Sequence, residues 1–282
     1  MGARLHEVKS NAPGPKKQFG QHFLRDAGVL DRILRWVQPA PTDVFVEIGA
    51  GDGALSQRIA PMVNRLIAIE LDFDRISQLE STLAPYCSAT VIQGDILRLD
   101  LPELVSEDLR GGRKLRILGN LPYNIASPII EKMIHLPLPV QDIHVMVQFE
   151  VAGRITAQPK SRDYGFLSVH CQHHARVRMG FKVSPACFVP RPKVNSATVS
   201  FHPIDTGMDA SLESDFEEVC KAAFGYRRKT LANSLSKHPV IGKITAELLR
   251  RADIDGSRRA EQLSVAEYEH LARTLHDLQT AN

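Results

Sequence analysis

The chain lacks most of the features that would commit it to a membrane, a disulfide scaffold or a metal site. Its four cysteines, Cys87, Cys171, Cys187 and Cys220, are scattered over 282 residues without a CxxC pair. That spacing argues for structural thiols in a reducing compartment, with neither a disulfide frame nor a zinc site. No apolar run approaches the roughly 20 residues that span a bilayer, and the polar N-terminus lacks the apolar core of a signal peptide. A cytoplasmic protein without a membrane partner is therefore expected. There is no internal repeat and no low-complexity tract. The single tryptophan, Trp36, falls within an amphipathic stretch and reads as packing. A formal net charge of +3 is too small to prove a polyanionic partner, so the placement of charge must decide.

What remains is an ordinary globular composition, 43% hydrophobic and 24% charged, with room for one large domain and a small one. Met1 to Lys17 mixes basic residues with Asn11, Pro13, Gly14 and Pro15, and reads as a flexible lead-in. Asp26 caps an expected helix in which Leu30, Ile33, Leu34 and Val37 repeat on one face, and Pro39 and Pro41 stop it. Val44–Ile48 then reads as a buried strand. Helical and strand patterns alternate onward: a helix over 54–60, strand 66–70, helix 75–83, strand 89–93, strand 115–118, helix 127–134 and strand 143–149. Such alternation predicts a doubly wound parallel sheet. Two further strands, 169–175 and 197–201, are expected to extend its far edge. Asp205 to Ser214 is polar and reads as a linker. Beyond it, Ser214-Asp215-Phe216-Glu217 and Ser264-Val265-Ala266-Glu267 match capping boxes that open helices. The expected division is a flexible 1–17, an α/β domain over 18–204 and a small helical domain over 205–282.

Glu47-Ile48-Gly49-Ala50-Gly51-Asp52-Gly53 lies at the carboxyl end of the first buried strand, where open α/β sheets bind ligands. Its glycines, Gly49 and Gly51 among them, allow a tight turn and close backbone approach. The spacing is G-x-G-x-G, a poor match to the dinucleotide fingerprint G-x-G-x-x-G, so a nicotinamide dehydrogenase is disfavoured. Glu70 ends the next strand, where a carboxylate can accept both hydroxyls of a ribose. Asp95 follows the third, where one can hydrogen-bond an adenine amine. Together these suit an adenosine without a pyrophosphate.

Asn120-Leu121-Pro122-Tyr123 follows the fourth strand, at the same sheet edge. The exocyclic amine of a flat ring is a poor nucleophile, because its lone pair is delocalised into the ring. The Asn120 oxygen and a neighbouring carbonyl can accept its two N–H groups and aim the lone pair at a cationic methyl donor. Pro122 fixes the backbone so that the carbonyl of Leu121 faces the site, and Tyr123 offers a stacking surface. These residue types point to methyl transfer from S-adenosylmethionine, with no general base required.

With these motifs in place, the chain resembles the ribosomal small-subunit RNA adenine dimethyltransferases over nearly its whole length. The resemblance rests on Phe19-Gly20-Gln21-His22-Phe23-Leu24, the Glu47-Ile48-Gly49 loop and Gly119-Asn120-Leu121-Pro122-Tyr123-Asn124-Ile125. It extends through Tyr164 to Val169, Phe188-Val189-Pro190-Arg191-Pro192-Lys193-Val194-Asn195-Ser196 and Arg227-Arg228-Lys229-Thr230-Leu231. It implies a Rossmann-like methyltransferase domain with a small all-helical C-terminal domain. It also implies cofactor contacts from His22, Leu24, Gly49, Glu70, Asp95 and Asn120. The substrate it implies is two adjacent adenines near the 3′ end of the small-subunit (16S) RNA, met by a monomer within a partly assembled 30S subunit. Three positions depart from the family's pattern: Ala50 where Pro is usual, His22 where Asn is frequent, and Gly153 where a larger or acidic residue is typical.

Charge placement agrees with an RNA substrate. Residues 152–195 carry eight basic residues and one acid, Asp163. The basic eight are Arg154, Lys160, Arg162, Arg176, Arg178, Lys182, Arg191 and Lys193, and they surround Phe181. A positive surface guides a polyanion into place. Phe181 is expected to form the second wall of a base sandwich opposite Tyr123. Arg227, Arg228 and Lys229 make a second basic cluster, within a C-terminal segment (205–282) of eleven basic and thirteen acidic residues. His170, Cys171, His173 and His174 are expected to pack or touch RNA rather than bind metal, since no further ligand pair has zinc spacing. Other readings to separate are a large-subunit RNA methyltransferase, a DNA adenine methyltransferase, and a ribosome-assembly binding factor with reduced catalysis.

Overall fold

The structure, a computed structural model, describes residues 21–226 and 228–280. The expected lead-in over 1–17, the Phe19-Gly20 pair and Arg227 lie outside the described residues. The described chain opens with β1 (Phe23–Leu24), α1 (Ala27–Val37), β2 (Val44–Ile48), α2 (Ser56–Ile59), β3 (Arg65–Glu70) and α3 (Phe73–Leu83). It continues through β4 (Ala89–Gln93), α4 (Leu101–Val105), β5 (Leu115–Asn120), α5 (Ala126–Ile134), β6 (Val140–Gln148), α6 (Phe149–Ile155), α7 (Phe166–His174) and β7 (Ala175–Val183). Then follow β8 (Phe188–Val189), β9 (Ser196–Pro203), α8 (Ala210–Phe224), α9 (Leu231–Leu235), α10 (Thr245–Arg251) and α11 (Val265–Thr280).

Two compact units result. The first runs to Val147 and includes Val183–Ser196; the second holds Gln148–Lys182 and everything from Ala197 onward. In the first, five parallel strands stand in the order β4-β3-β2-β5-β6. They read as near-continuous Val, Ile and Leu because both sheet faces are covered, and all five residues of β2 are buried. The chain steps outward from β2 through β3 to β4, then returns to lay β5 on the other side of β2. The crevice beyond the carboxyl ends of β2 and β5 is thus the topological switch point, where such sheets bind ligands. Register brings those ends level, with Ile48 paired to both Ile69 and Gly119, and Glu70 to Gln93. Gly119 makes the close approach possible, since a Cβ there would lie 2.7 Å from the carbonyl oxygen of Ile48.

Local signals account for α1. Asp26 accepts the N–H of Val29 at 2.9 Å, Val29, Leu30, Ile33 and Val37 are buried, and Gln38 turns left-handed at φ 51° to end the helix. At the opposite end of the sheet from the switch point, Arg116 is buried at the start of β5. Its guanidinium forks onto Asp142 through two 2.8 Å bonds and reaches Asp43 at 2.6 Å.

The second unit has its own core. Phe216, Val219, Leu231, Leu235, Leu248, Tyr268 and Leu271 pack with Tyr164 and Val169. Two expectations are corrected here. Residues 166–174 form helix α7 rather than a strand, and the strand begins only at Ala175. The spacing of buried Val169, His170 and His173 suits a helical face, and Ser168 accepts the N–H of Gly165 at 3.1 Å to start it. Helix α8 opens at Ala210 rather than at Ser214, because Asp209 accepts the N–H groups of Ser211 and Leu212 at 3.0 and 2.9 Å. The expected linker therefore lends its second half to the helix. The box at Ser264 forms as expected: Ser264 Oγ accepts the Glu267 N–H at 3.2 Å, and Glu267 returns the bond to Ser264 N at 2.7 Å.

Candidate active site

A cavity of about 270 Å³ opens at the switch point of the first unit. Its walls include His22, Gly49, Glu70, Asp95 and the whole tetrapeptide Asn120, Leu121, Pro122 and Tyr123. Four strand ends, those of β2, β3, β4 and β5, deliver all of these groups but His22. After β2 the chain turns through Gly49 (φ 71°) and Gly51 (φ 62°), conformations that side chains with a Cβ rarely adopt. The turn places the Gly51 N–H 2.7 Å from Glu70 Oε2, while Asp72 N–H reaches Oε1 at 2.8 Å. Burial raises the pKa of Glu70, and the N–H bonds from Asp72 and Gly51 act against that rise. A carboxylate fixed in this way keeps free lone pairs for a diol. Asp95 is anchored by Leu97 N–H at 3.0 Å and stays half-buried beyond β4.

The tetrapeptide is held from both sides. Leu121 N–H donates to the carbonyl of Met146 on β6 at 3.0 Å, and Ile125 N–H closes a turn onto the Pro122 carbonyl at 3.2 Å. The Asn120 amide nitrogen donates to the backbone carbonyl of His22 at 2.8 Å. With that end committed, the side-chain oxygen is the end able to accept from a substrate amine. Tyr123 stacks against the His22 ring, 5.4 Å between centroids at 30°, and its hydroxyl lies 2.6 Å from Ser196 Oγ. Burial raises the Tyr123 pKa, with the Ser196 hydrogen bond opposing, so the phenol keeps its proton.

Not every expected cofactor contact lines the cavity. Leu24 is buried beside it, paired with Phe188 in the β1–β8 ribbon. Gly51 acts through its N–H on Glu70. Sequence reasoning passed over Leu71 and Ile96, apolar wall residues each one position beyond an acid already singled out. It also passed over Ser196, whose partner lies 73 positions away in sequence. The fit to an adenosine is coherent: two carboxylates at successive strand ends, a glycine turn beside the first of them, and apolar side chains on the cavity wall.

The basic residues fall into separate places. Arg191 and Lys193 are exposed between β8 and β9 in the first unit. In the second unit Arg154 is exposed on α6. Arg176, Arg178 and Lys182 share one face of β7, while Phe181 points to the other and is half-buried, its N–H donated to Thr198 Oγ1 at 3.0 Å. Lys182 Nζ sits 4.9 Å from the centre of the Phe149 ring. Arg228 and Lys229 are exposed in the turn between α8 and α9. The histidine run lies on α7: buried His173 joins Glu269 at 2.8 Å and Glu213 at 3.1 Å, so carboxylates engage both of its ring nitrogens.

The family model described as ribosomal RNA adenine dimethylase matches residues 14–277. The chain belongs to that family. Ribosomal RNA small subunit methyltransferase A of Xylella fastidiosa (strain 9a5c) is 42% identical over 263 residues, covering 93% of this chain and 96% of its own. The protein of the same name from Alkaliphilus oremlandii (strain OhILAs) is 38% identical over 264 residues, covering 92% and 91%. Among solved structures, a dimethyladenosine transferase from Plasmodium falciparum superposes with a TM-score of 0.80 at 22% identity, over 91% of this chain and 98% of that one. The 23S rRNA methyltransferase ErmE superposes with a TM-score of 0.67 at 21% identity, over 90% and 99%. At such identities the two structures establish the Rossmann-like methyltransferase fold alone.

Proposed function

We propose that this dimethylase-family chain methylates the N6 amines of two adjacent adenines near the 3′ end of small-subunit (16S) ribosomal RNA, in ribosome biogenesis. When bound, S-adenosylmethionine supplies a methyl group on a cationic sulfur. The chain's own residues do the rest. Glu70 and Asp95 hold the two ends of the adenosine, and the Gly49–Gly51 turn lets the backbone come close. Asn120 Oδ1 and the Leu121 carbonyl accept the two N–H groups of the target amine, which localises its lone pair and aims it. Attack on a cation makes the amine strongly acidic, so water suffices to remove the proton. The observation that carries the reading is the bond from Asn120 to His22, because it turns the amide oxygen into the acceptor that this chemistry needs.

The site assignments follow from the same reading. Tyr123 offers one stacking ring and Phe181 is assigned the second. Arg154, Arg176, Arg178, Lys182, Arg191 and Lys193, with Arg227, Arg228 and Lys229, are assigned to RNA phosphates. We assign catalysis to residues 18–204 and an orienting role to 205–282. The enzyme is placed in the cytoplasm as a monomer that uses no metal and meets its RNA within a partly assembled small subunit. Among the described residues no helix is long and apolar enough to cross a membrane.

The test is transfer of labelled methyl to unmethylated small subunits, large subunits and naked RNA, followed by nucleoside analysis. Dimethyladenosine in small subunits alone supports the reading. Label in large subunits overturns the substrate, and cofactor binding without transfer to any RNA overturns the activity.

A further inference from the structure

Tyr123 is held by more than its backbone. One face of its ring rests on His22, and its hydroxyl meets Ser196, a fully buried residue that opens β9. His22 is itself fixed, its Nδ1 donating to the carbonyl of Pro190 at 2.8 Å. The same residue's backbone carbonyl holds the Asn120 amide. The plane of the stacking ring and the acceptor for the amine therefore share one reference residue, and Ser196 supplies the second fixed point that stops the ring from tilting. A ring stacked on one side and pinned at its tip leaves a single face for a base.

We infer that Ser196 is a positioning residue for methyl transfer, fixing through the Tyr123 hydroxyl the plane on which the target adenine stacks. This rests on the adenine methyltransferase reading above. Misplacing a reacting amine by about 1 Å costs up to roughly 100-fold in rate, so loss of one pin is expected to lower turnover by about tenfold. Among the described residues the Ser196 side chain hydrogen-bonds Tyr123 and no group assigned to the cofactor, so the loss belongs in kcat and leaves the KM for S-adenosylmethionine unchanged.

The experiment measures methyl transfer to unmethylated small subunits by wild type, Ser196→Ala, Tyr123→Phe and the double variant. The expected result is a similar fall in kcat for each single variant, an unchanged cofactor KM, and a double variant no slower than either single. Tyr123→Phe removes the same bond from the other side, so the test stands even where Ser196→Ala melts early. Wild-type turnover by Ser196→Ala, single losses that multiply, or a parallel rise in cofactor KM would each overturn the positioning role. Failure of the underlying reading looks different: the wild type itself then transfers no methyl to small subunits.

Discussion

The amide nitrogen of Asn120 and the backbone carbonyl of His22 lie 2.8 Å apart, joining the end of the fourth parallel strand to a segment 98 residues earlier. That bond removes the ambiguity of a side-chain amide, which otherwise presents either end to a substrate. Asn120→Ala should therefore leave RNA binding nearly intact while lowering turnover on the order of 100-fold or more, as loss of a transition-state hydrogen-bond partner does. Binding is measured by filter retention of the RNA and turnover by label transfer. Full activity in Asn120→Ala sinks the assigned geometry.

Much of this site was legible because it sits where regular elements stop. Strands buried on both faces betray themselves as Val, Ile and Leu runs, so Glu70, Asp95 and Asn120 stood out as polar residues at successive ends. Contacts made across long sequence gaps left no local trace. The pairing of Tyr123 with Ser196 and the fork of Arg116 onto Asp142 are of that kind. The α7 segment misleads for a different reason: nine residues that mix apolar, polar and histidine side chains fit either period, and its cap at Gly165 carries no side chain to announce it. The Asp209 cap is masked because Ser214 and Glu217, five and eight residues further on, mimic a start.

Phe181 and Arg228 separate two kinds of RNA contact. A ring stacked on an unpaired base is worth about 1–3 kcal/mol, whereas one exposed cation mainly adds to the salt dependence of binding. Phe181→Ala should reduce kcat/KM more than Arg228→Ala. Arg228→Ala should instead weaken binding evenly and flatten the salt slope by about one unit. The reverse order of damage means that Phe181 is not part of the base clamp.

Glu47 makes stability depend on pH. Burial raises its pKa to about 8, the 2.5 Å hydrogen bond from Ser56 opposes that rise, and the Glu70 charge adds to it. The folded chain thus holds a proton that the unfolded chain releases above the ordinary value of 4.5. Stability contributed by this group is full below about 4.5 and is lost as pH climbs toward 8, by at most roughly 1.4 kcal/mol per pH unit. In thermal melts from pH 5 to 9, Glu47→Gln should hold its Tm where the wild type declines. Parallel curves for the two proteins mean that Glu47 is ionised throughout.

Arg116 and Asp142 form a charge pair that serves the scaffold and not the chemistry. Arg116 is buried and donates to both oxygens of Asp142, to Asp43, and to the carbonyls of Val37 and Gln38 at 2.6 and 3.2 Å. Burial pushes the Asp142 pKa up, but the neighbouring His144 and Arg116 outweigh it and hold it at about 2. Its stabilising share is therefore present above the ordinary 3.8 and is lost as pH falls through about 2. Asp142→Ala leaves a buried guanidinium with half its fork empty, which should cost about 3–5 kcal/mol in denaturant unfolding. Arg116→Met with Asp142→Leu and Asp43→Asn, which removes all three charges of the cluster, should recover most of that loss. Arg116 lies four residues before Asn120 on β5, about 13 Å away along the strand, so either variant should keep wild-type kcat at a temperature where it is folded. A fall in kcat without a fall in stability would show that this end of β5 reaches the reacting amine, contrary to its place in the sheet.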